Sequence, residues 1–272
     1  MSKIVAPVVF SLIACGLVAR PGMAQTEDAA ARTVETAAGG GPATSGPTPA
    51  VAAPASTERG RASSFVHDVG GDYVHFFSKE NAVWLGAGGL AALAVHPADD
   101  NLSEWAQEHD TSMPGGYTYG SQLLHIPVAI VVWAAGAASG SHRVADTGRD
   151  LLRAQIAVGS WTYAIKVASD RTRPNGGSYS FPSGHSSTSF ATAMVLEEHF
   201  GWKLGVPAFA VAAYTAGSRV VANDHWASDV IFGAALGMAS GRTVTIQLRE
   251  ARVSVAPLAA PGGGGALVTA VW

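Results

Sequence analysis

An all-α fold, built as a six-helix bundle, is what this sequence predicts, and three observations carry the prediction. Six apolar stretches follow one another, at roughly 81–95, 122–139, 150–168, 185–199, 204–217 and 228–241. Each is rich in Ala, Leu, Val and Gly, lacks the period-two alternation of a strand, and has a length that suits a helix. The breaks between them hold turn formers: His96-Pro97, Met113-Pro114-Gly115-Gly116, Ser139-Gly140-Ser141 and Arg173-Pro174-Asn175-Gly176-Gly177.

The flanking segments read differently. Met1-Ser2-Lys3 is a short positive region, Ile4 to Ala19 is apolar, and Gly22-Met23-Ala24 offers a small-residue cleavage site, so residues 1–24 read as a signal peptide. Leu12-Ile13-Ala14-Cys15 resembles a lipobox and gives a lipoprotein signal as the alternative. Cys15 is the only cysteine, so a chain cleaved after Ala24 has no disulfide and must be held by its core. Residues 25–62, with Gly39-Gly40-Gly41 and Pro42, Pro47, Pro49 and Pro54 among Ala, Thr and Ser, read as a low-complexity linker. A domain follows over 63–245, opened by a short amphipathic helix near 64–77 that carries Phe65, Tyr73, Phe76 and Phe77. In the tail, 246–272, the alternation of Val244–Leu248 and Arg252–Val255 precedes a break at Pro261-Gly262-Gly263-Gly264-Gly265 and a β-like Ala266–Trp272, the pattern of a C-terminal hairpin.

Composition bounds the function classes. A net charge of −3 gives no global basic field, so no nucleic-acid partner is expected. Only 14% of residues are charged and the mean hydropathy is +0.21, apolar for a soluble protein and polar for a full membrane protein.

Three clusters of reactive residues stand out against this background. Lys166 sits near the end of the third apolar stretch, with Arg173-Pro174 in the loop beyond. Phe181-Pro182-Ser183-Gly184-His185 enters the fourth. Ser218-Arg219 is followed by five residues and His225, then by three residues and Asp229. If Lys166, Arg173 and Arg219 converge, they match the charge of a phosphate, and arginines bind its oxygens bidentately. Ser183 and Gly184 open a helix whose N–H groups can cradle an anion. His225 and Asp229, at i and i+4, are expected on one helix face, where the carboxylate holds one ring nitrogen and leaves the other as a nucleophile. His185 is then free to protonate a leaving oxygen. Singly, each residue has an ordinary reading: a helix-terminal lysine, a loop arginine, a serine cap, a surface pair. Jointly, in this order and spacing, they do not. Nine histidines occur, none in a paired ligand spacing such as His-Glu-x-x-His, and the cations would repel a divalent ion, so neither metal nor cofactor is expected.

The pattern Lys-x6-Arg-Pro, Pro-Ser-Gly-His, Ser-Arg-x5-His-x3-Asp resembles the superfamily of type 2 phosphatidic acid phosphatases and vanadium haloperoxidases, over roughly residues 75 to 243. The resemblance implies a helical core of the acid phosphatase/haloperoxidase type and a phosphatase acting on a phosphate monoester: a lipid, a prenyl or a small soluble phosphate. It implies that Lys166, Arg173, Ser183, Gly184 and Arg219 bind phosphate, that His225 attacks phosphorus to give a phosphohistidine, that Asp229 orients His225, and that His185 protonates the leaving group. The alternatives are a vanadate-dependent haloperoxidase, for which the catalytic region is small, and a catalytically silent helical envelope protein.

Membrane association is balanced. The apolar stretches mostly fall short of the ~20 residues that cross a bilayer. Arg153, Gln155, Glu197 and Glu198 interrupt them. This favours an exported, periplasmic or envelope-associated globular domain. Residues 96–121 carry no Lys or Arg, whereas the connections bearing Arg143, Arg149 and Lys203 do. That asymmetry favours the alternative, an integral inner-membrane protein with an external active site.

Overall fold

The computed structural model describes residues 58–109, 112–246, 252–260 and 263–271. The signal peptide and almost all of the linker lie outside these residues. The elements in order are α1 (Glu58–His75), α2 (Lys79–Val95), a 3-10 turn (His96–Ala98), α3 (Asp99–Glu108), α4 (Gly116–Gly120), α5 (Gln122–Ser139), α6 (His142–Ser169), α7 (Gly184–Phe200), α8 (Trp202–Val221), α9 (Ala227–Thr245), β1 (Arg252–Ala260) and β2 (Gly263–Val271). All six apolar stretches are helices, and each runs past its apolar run except α5, which matches it. The first helix begins at Glu58, inside the stretch read as linker, and α3 and α4 were not anticipated.

Asp68 to Ile246 form one compact unit. Helix α9 is its axis, packed against α7, α2 and α6, while α5 packs on α6 and α8 on α7. Phe76, Leu151, Val158, Val195, Leu236 and Val244 fill the largest apolar cluster. Helices α7 and α9 approach closely because Gly233, Gly237 and Gly241 stack at four-residue intervals. An added Cβ would lie 2.7 Å from the Ser183 carbonyl at Gly233, 2.6 Å from the Ala191 carbonyl at Gly241, and on the Ser187 carbonyl at Gly237. Small residues at this spacing let helix backbones touch. Gly237→Val should therefore separate α7 from α9 at a cost on the order of 3 kcal/mol. Thermal unfolding in detergent should show a clear loss for Gly237→Val and a smaller one for Gly237→Ala.

The far end of the unit is held by charge. Arg153 pairs bidentately with Asp72, at 2.9 and 2.5 Å, and bonds Asp150 at 2.9 Å, which in turn lies 3.0 Å from His199 Nε2. These buried groups join α1 to α6 and α7.

Beside the apolar core, polar residues are buried and large apolar ones are exposed. Ser186, Ser187, Thr188, Ser189 and Thr192 of the central α7 are buried, while Leu90, Leu123, Val131, Trp202 and Val206 of α2, α5 and α8 face outward. Two helices, Gln122–Ser139 and Trp202–Val221, are long and apolar enough to cross a membrane, and only 17% and 33% of their apolar windows are buried. Contiguous exposed apolar surface of this kind marks membrane association.

The hairpin belongs to a second unit. Its strands pair antiparallel from Arg252↔Val271 to Ala260↔Gly263. The expected strand character at Val244–Leu248 is corrected at its start: α9 runs to Thr245, because Val244 is part of the apolar core and Thr245 Oγ1 bonds back to the Gly241 carbonyl at 3.2 Å. Helix burial outweighs local alternation there.

Candidate active site

The three clusters meet at one end of the bundle, where α6 and α8 end and α7 and α9 begin. Backbone bonds stitch them together. Ser169 Oγ donates to the Phe181 carbonyl at 2.9 Å, and Ser180 N–H to the Arg171 carbonyl at 2.7 Å, joining the first cluster to the second. Ser183 N–H donates to the Asp229 carbonyl at 3.1 Å and Ser186 Oγ to the Val230 carbonyl at 2.7 Å, joining the second to the third. A serine at each crossing satisfies a backbone group that would otherwise be buried without a partner.

Ser183 caps α7, its side chain accepting from Ser186 N–H. At Gly184 an added Cβ would meet only Thr162 Cγ2, at 3.7 Å, an ordinary contact. Protein packing therefore does not require glycine there, and the open side is free for a ligand to approach. Lys166 Nζ donates to the carbonyls of Tyr179 and Ser180. Arg173 Nε donates to the Ser178 carbonyl at 3.0 Å and Nη1 lies 4.0 Å from Asp224 Oδ1. Arg219, 4% exposed, also pairs with Asp224 and lies over the Tyr117 ring at 5.2 Å. Asp224 thus holds two of the three expected cations, a role the sequence reading missed.

His225 is 2% exposed, and its Nδ1 lies 3.6 Å from Asp229 Oδ2, within ion-pair range but beyond a hydrogen bond. The pair is not on one helix face as expected. His225 precedes α9, and Asp229 lies in its first turn, accepting from Trp226 N–H at 3.0 Å. The i, i+4 spacing here spans a helix entry, where the carboxylate also meets the positive end of the helix dipole. Asp229 Oδ2 further accepts from the Ser180 hydroxyl, and Oδ1 accepts from Arg171 at 2.7 Å.

The charges explain the protonation states. Burial, then the Lys166 and Arg173 cations, push His225 below the ordinary imidazole value despite Asp229. Burial, then Arg219 and His225, lower His185 to about 4. Burial opposes the Asp229 charge, but His225, Ser180 and Arg171 outweigh it and hold the carboxyl below its usual value. Both imidazoles are thus pushed toward the neutral form and Asp229 toward the carboxylate.

Buried atoms with no hydrogen-bond partner gather here: His185 Nε2, His225 Nδ1, Arg219 Nε and Thr215 Oγ1. Unsatisfied buried groups are costly and call for an explanation. The short α4 closes this side of the site. Its Gly120 Cβ position lies 2.7 Å from His185 Cβ, and Tyr117 packs on the His185 ring at a centroid distance of 4.9 Å. Tyr117, Asp224, Ser180, Arg171 and Asp99 were missed from sequence. For Arg171 a signal existed: it is a third cation within Lys166–Pro174.

Residues 123–252 match the model of the PAP2 superfamily. Over 88 residues the chain is 41% identical to a lipid A 1-phosphatase of Porphyromonas gingivalis, covering 31% of this chain and 20% of that protein. The match thus spans a fifth of that relative's length. The fold is similar to the crystal structure of the first transmembrane PAP2 type phosphatidylglycerolphosphate phosphatase from Bacillus subtilis, with a TM-score of 0.53 and 20% identity, covering 63% of this chain and 97% of that one. Aquifex aeolicus LpxE gives a TM-score of 0.46 at 19% identity, over 54% of this chain and 93% of that one.

Proposed function

We propose that this chain, whose residues 123–252 match the model of the PAP2 superfamily, is a membrane-associated phosphatase that hydrolyses a lipid phosphate monoester through a phosphohistidine. The observation that carries this reading is the buried His225 and the half-buried His185, both pushed toward the neutral imidazole and set among Lys166, Arg173 and Arg219 where α7 and α9 begin. Such a site binds a phosphate dianion and presents it to a nucleophile.

His225 Nε2 attacks phosphorus while Asp229 faces Nδ1. The N–P bond forms, the P–O ester bond breaks, and its electron pair leaves on the alcohol oxygen. His185 supplies the proton that oxygen needs. Its low proton affinity in the empty site is consistent with this role, because the cations around it are neutralised when a dianion enters, and a monoanionic phosphate brings a proton with it. In the second step His185 accepts a proton from water, which attacks phosphorus, and His225 departs. Lys166, Arg173, Arg219, the Ser183 hydroxyl and the Gly184 N–H stabilise the equatorial oxygens throughout.

Two features favour an amphiphilic substrate. Helices α5 and α8 present their apolar faces outward, and an apolar cavity of about 320 Å³ lies among α5, α6 and α7, lined by Leu124, Val128, Val132, Leu151, Leu196 and Phe200. The helix ends opposite the site carry Lys79, Arg143, Lys203 and Arg242, the basic inner side by the positive-inside rule. With α5 and α8 crossing the bilayer, the site layer lies beyond its outer face. This reading takes the integral-membrane alternative over the exported globular domain.

The test is phosphate release in detergent, with EDTA present, from lipid phosphates, prenyl phosphates and soluble monoesters. Lipid phosphates should be turned over fastest, and EDTA should have no effect. Turnover of soluble esters alone would overturn the substrate class. Bromide oxidation in the presence of vanadate, without phosphate release, would identify a haloperoxidase instead.

A further inference from the structure

Arg171 lies within the first motif but outside its defining residues, and its ion pairs run to Asp229 and Asp99. Its Nη1 donates to Asp229 Oδ1 and to Ser228 Oγ, both at 2.7 Å. Its Nη2 donates to Asp99 Oδ2 at 2.8 Å and lies 3.1 Å from His96 Nδ1. Asp99 is 3% exposed and accepts from Ser228 N–H at 2.9 Å and Ser228 Oγ at 2.6 Å. One guanidinium therefore bridges two buried carboxylates, and both grip the first turn of α9.

The two oxygens of Asp229 consequently have separate tasks. Oδ1 is held by Arg171. Oδ2 faces the Ser180 hydroxyl, Trp226 N–H and His225 Nδ1. We infer that Arg171, backed by Asp99, is a positioning residue for the nucleophile: it fixes the rotation of the Asp229 carboxylate so that Oδ2 stays on His225. Asp99 balances the guanidinium, so Arg171 is committed to the carboxylates and does not join the phosphate ligands. A planar fork can serve two acceptors on different elements, whereas a lysine ammonium is a point charge that serves one well. The inference rests on the phosphohistidine reading above.

The experiment uses the full chain in detergent, with Arg171→Gln, Arg171→Lys and Asp99→Asn compared on one lipid phosphate. Misplacing a catalytic group by about 1 Å costs ~10²-fold in rate. Arg171→Gln should lose kcat on that scale, with KM and the inhibition constant of inorganic phosphate within about threefold of wild type. Arg171→Lys should recover part of the loss. Asp99→Asn should lose kcat by roughly tenfold, again at constant KM, and serves if Arg171→Gln does not fold. A rise in KM and in the phosphate inhibition constant that matches the fall in kcat would make Arg171 a phosphate ligand and overturn the inference. Unchanged kcat in folded Arg171→Gln and Asp99→Asn would do the same. A wild type that hydrolyses no ester fails the phosphatase reading instead. The nitrogen-15 resonances of the His225 ring then decide alone: a changed tautomer population in Arg171→Gln supports positioning, and an unchanged one sinks it.

Discussion

Replacing His225 by alanine should remove both turnover and the covalent intermediate. Among the described residues of the site, His225 is the buried imidazole that faces the Asp229 carboxylate. Lys166 and Arg173 lie near it as cations, not as nucleophiles. The expected loss is at least ~10⁴-fold in kcat, or about 5.4 kcal/mol of transition-state stabilisation. Phosphohistidine is labile to acid and survives base, so an alkaline quench of wild type during turnover of labelled substrate should trap protein-bound phosphate, and an acid quench should not. The variant should trap none. The pH profile carries a second sign. The nucleophile must be neutral, and the surrounding burial and cations hold His225 below the ordinary imidazole value. The acid limb of kcat/KM for wild type should therefore lie below about 6.5. Full turnover by His225→Ala, or trapping that persists in it, would remove the phosphohistidine mechanism.

The legibility of this chain follows from where its information is local. The helices were readable because each apolar run is bounded by turn formers, and the motif residues were readable because their types and spacing are unusual together. The short helices α3 and α4 were not. Asp99-Asp100-Asn101-Leu102 and Gly116-Tyr117-Thr118-Tyr119-Gly120 have weak helical patterns, and they are fixed by tertiary contacts: Asp99 on Ser228, Gly116 against Ser218, Gly120 against His185. The same reason hid Arg171, Asp224 and Ser180. Each is an ordinary loop residue until folding brings its partner across from another element.

The balance of membrane character in the sequence has a related cause. Polar residues inside apolar runs argued against crossing, but two of them, Arg153 and Gln155, turn inward. Arg153 pairs with Asp72 and Asp150. Gln155 Nε2 bonds Thr192 Oγ1 at 3.0 Å. Hydropathy averaged along a helix does not separate its two faces. The outward face of α5 is apolar throughout its middle turns, and that face meets the surroundings.

Vanadate inhibition should be strong in wild type and should collapse when Arg219 is removed. Vanadate adopts five-coordinate geometry and carries a charge similar to phosphate, so in this site it mimics the transition state, and such mimics bind ~10²–10⁸-fold tighter than substrate. Arg219 is buried, and its Nε lacks a partner among the described residues. Its other end is held by Asp224, which is also near Arg173. Arg219→Ala does two things at once: it deletes a charge-assisted bond to the anion, and it leaves Asp224 less compensated beside the incoming dianion. Turnover and vanadate affinity should fall together, on the order of 10²–10³-fold each. The second effect can be isolated. In the double variant Arg219→Ala, Asp224→Asn the repulsive carboxylate is gone, so part of the lost vanadate affinity should return. If the double variant is no better than the single one, Asp224 only tethers the arginine. Chelators should leave the inhibition and the turnover of wild type unchanged, because every charge the reaction needs comes from side chains and helix N–H groups. Activity lost in EDTA and restored by zinc or magnesium would show that a metal ion takes part. Insensitivity of wild type to vanadate would show that Lys166, Arg173 and Arg219 do not act on one anion.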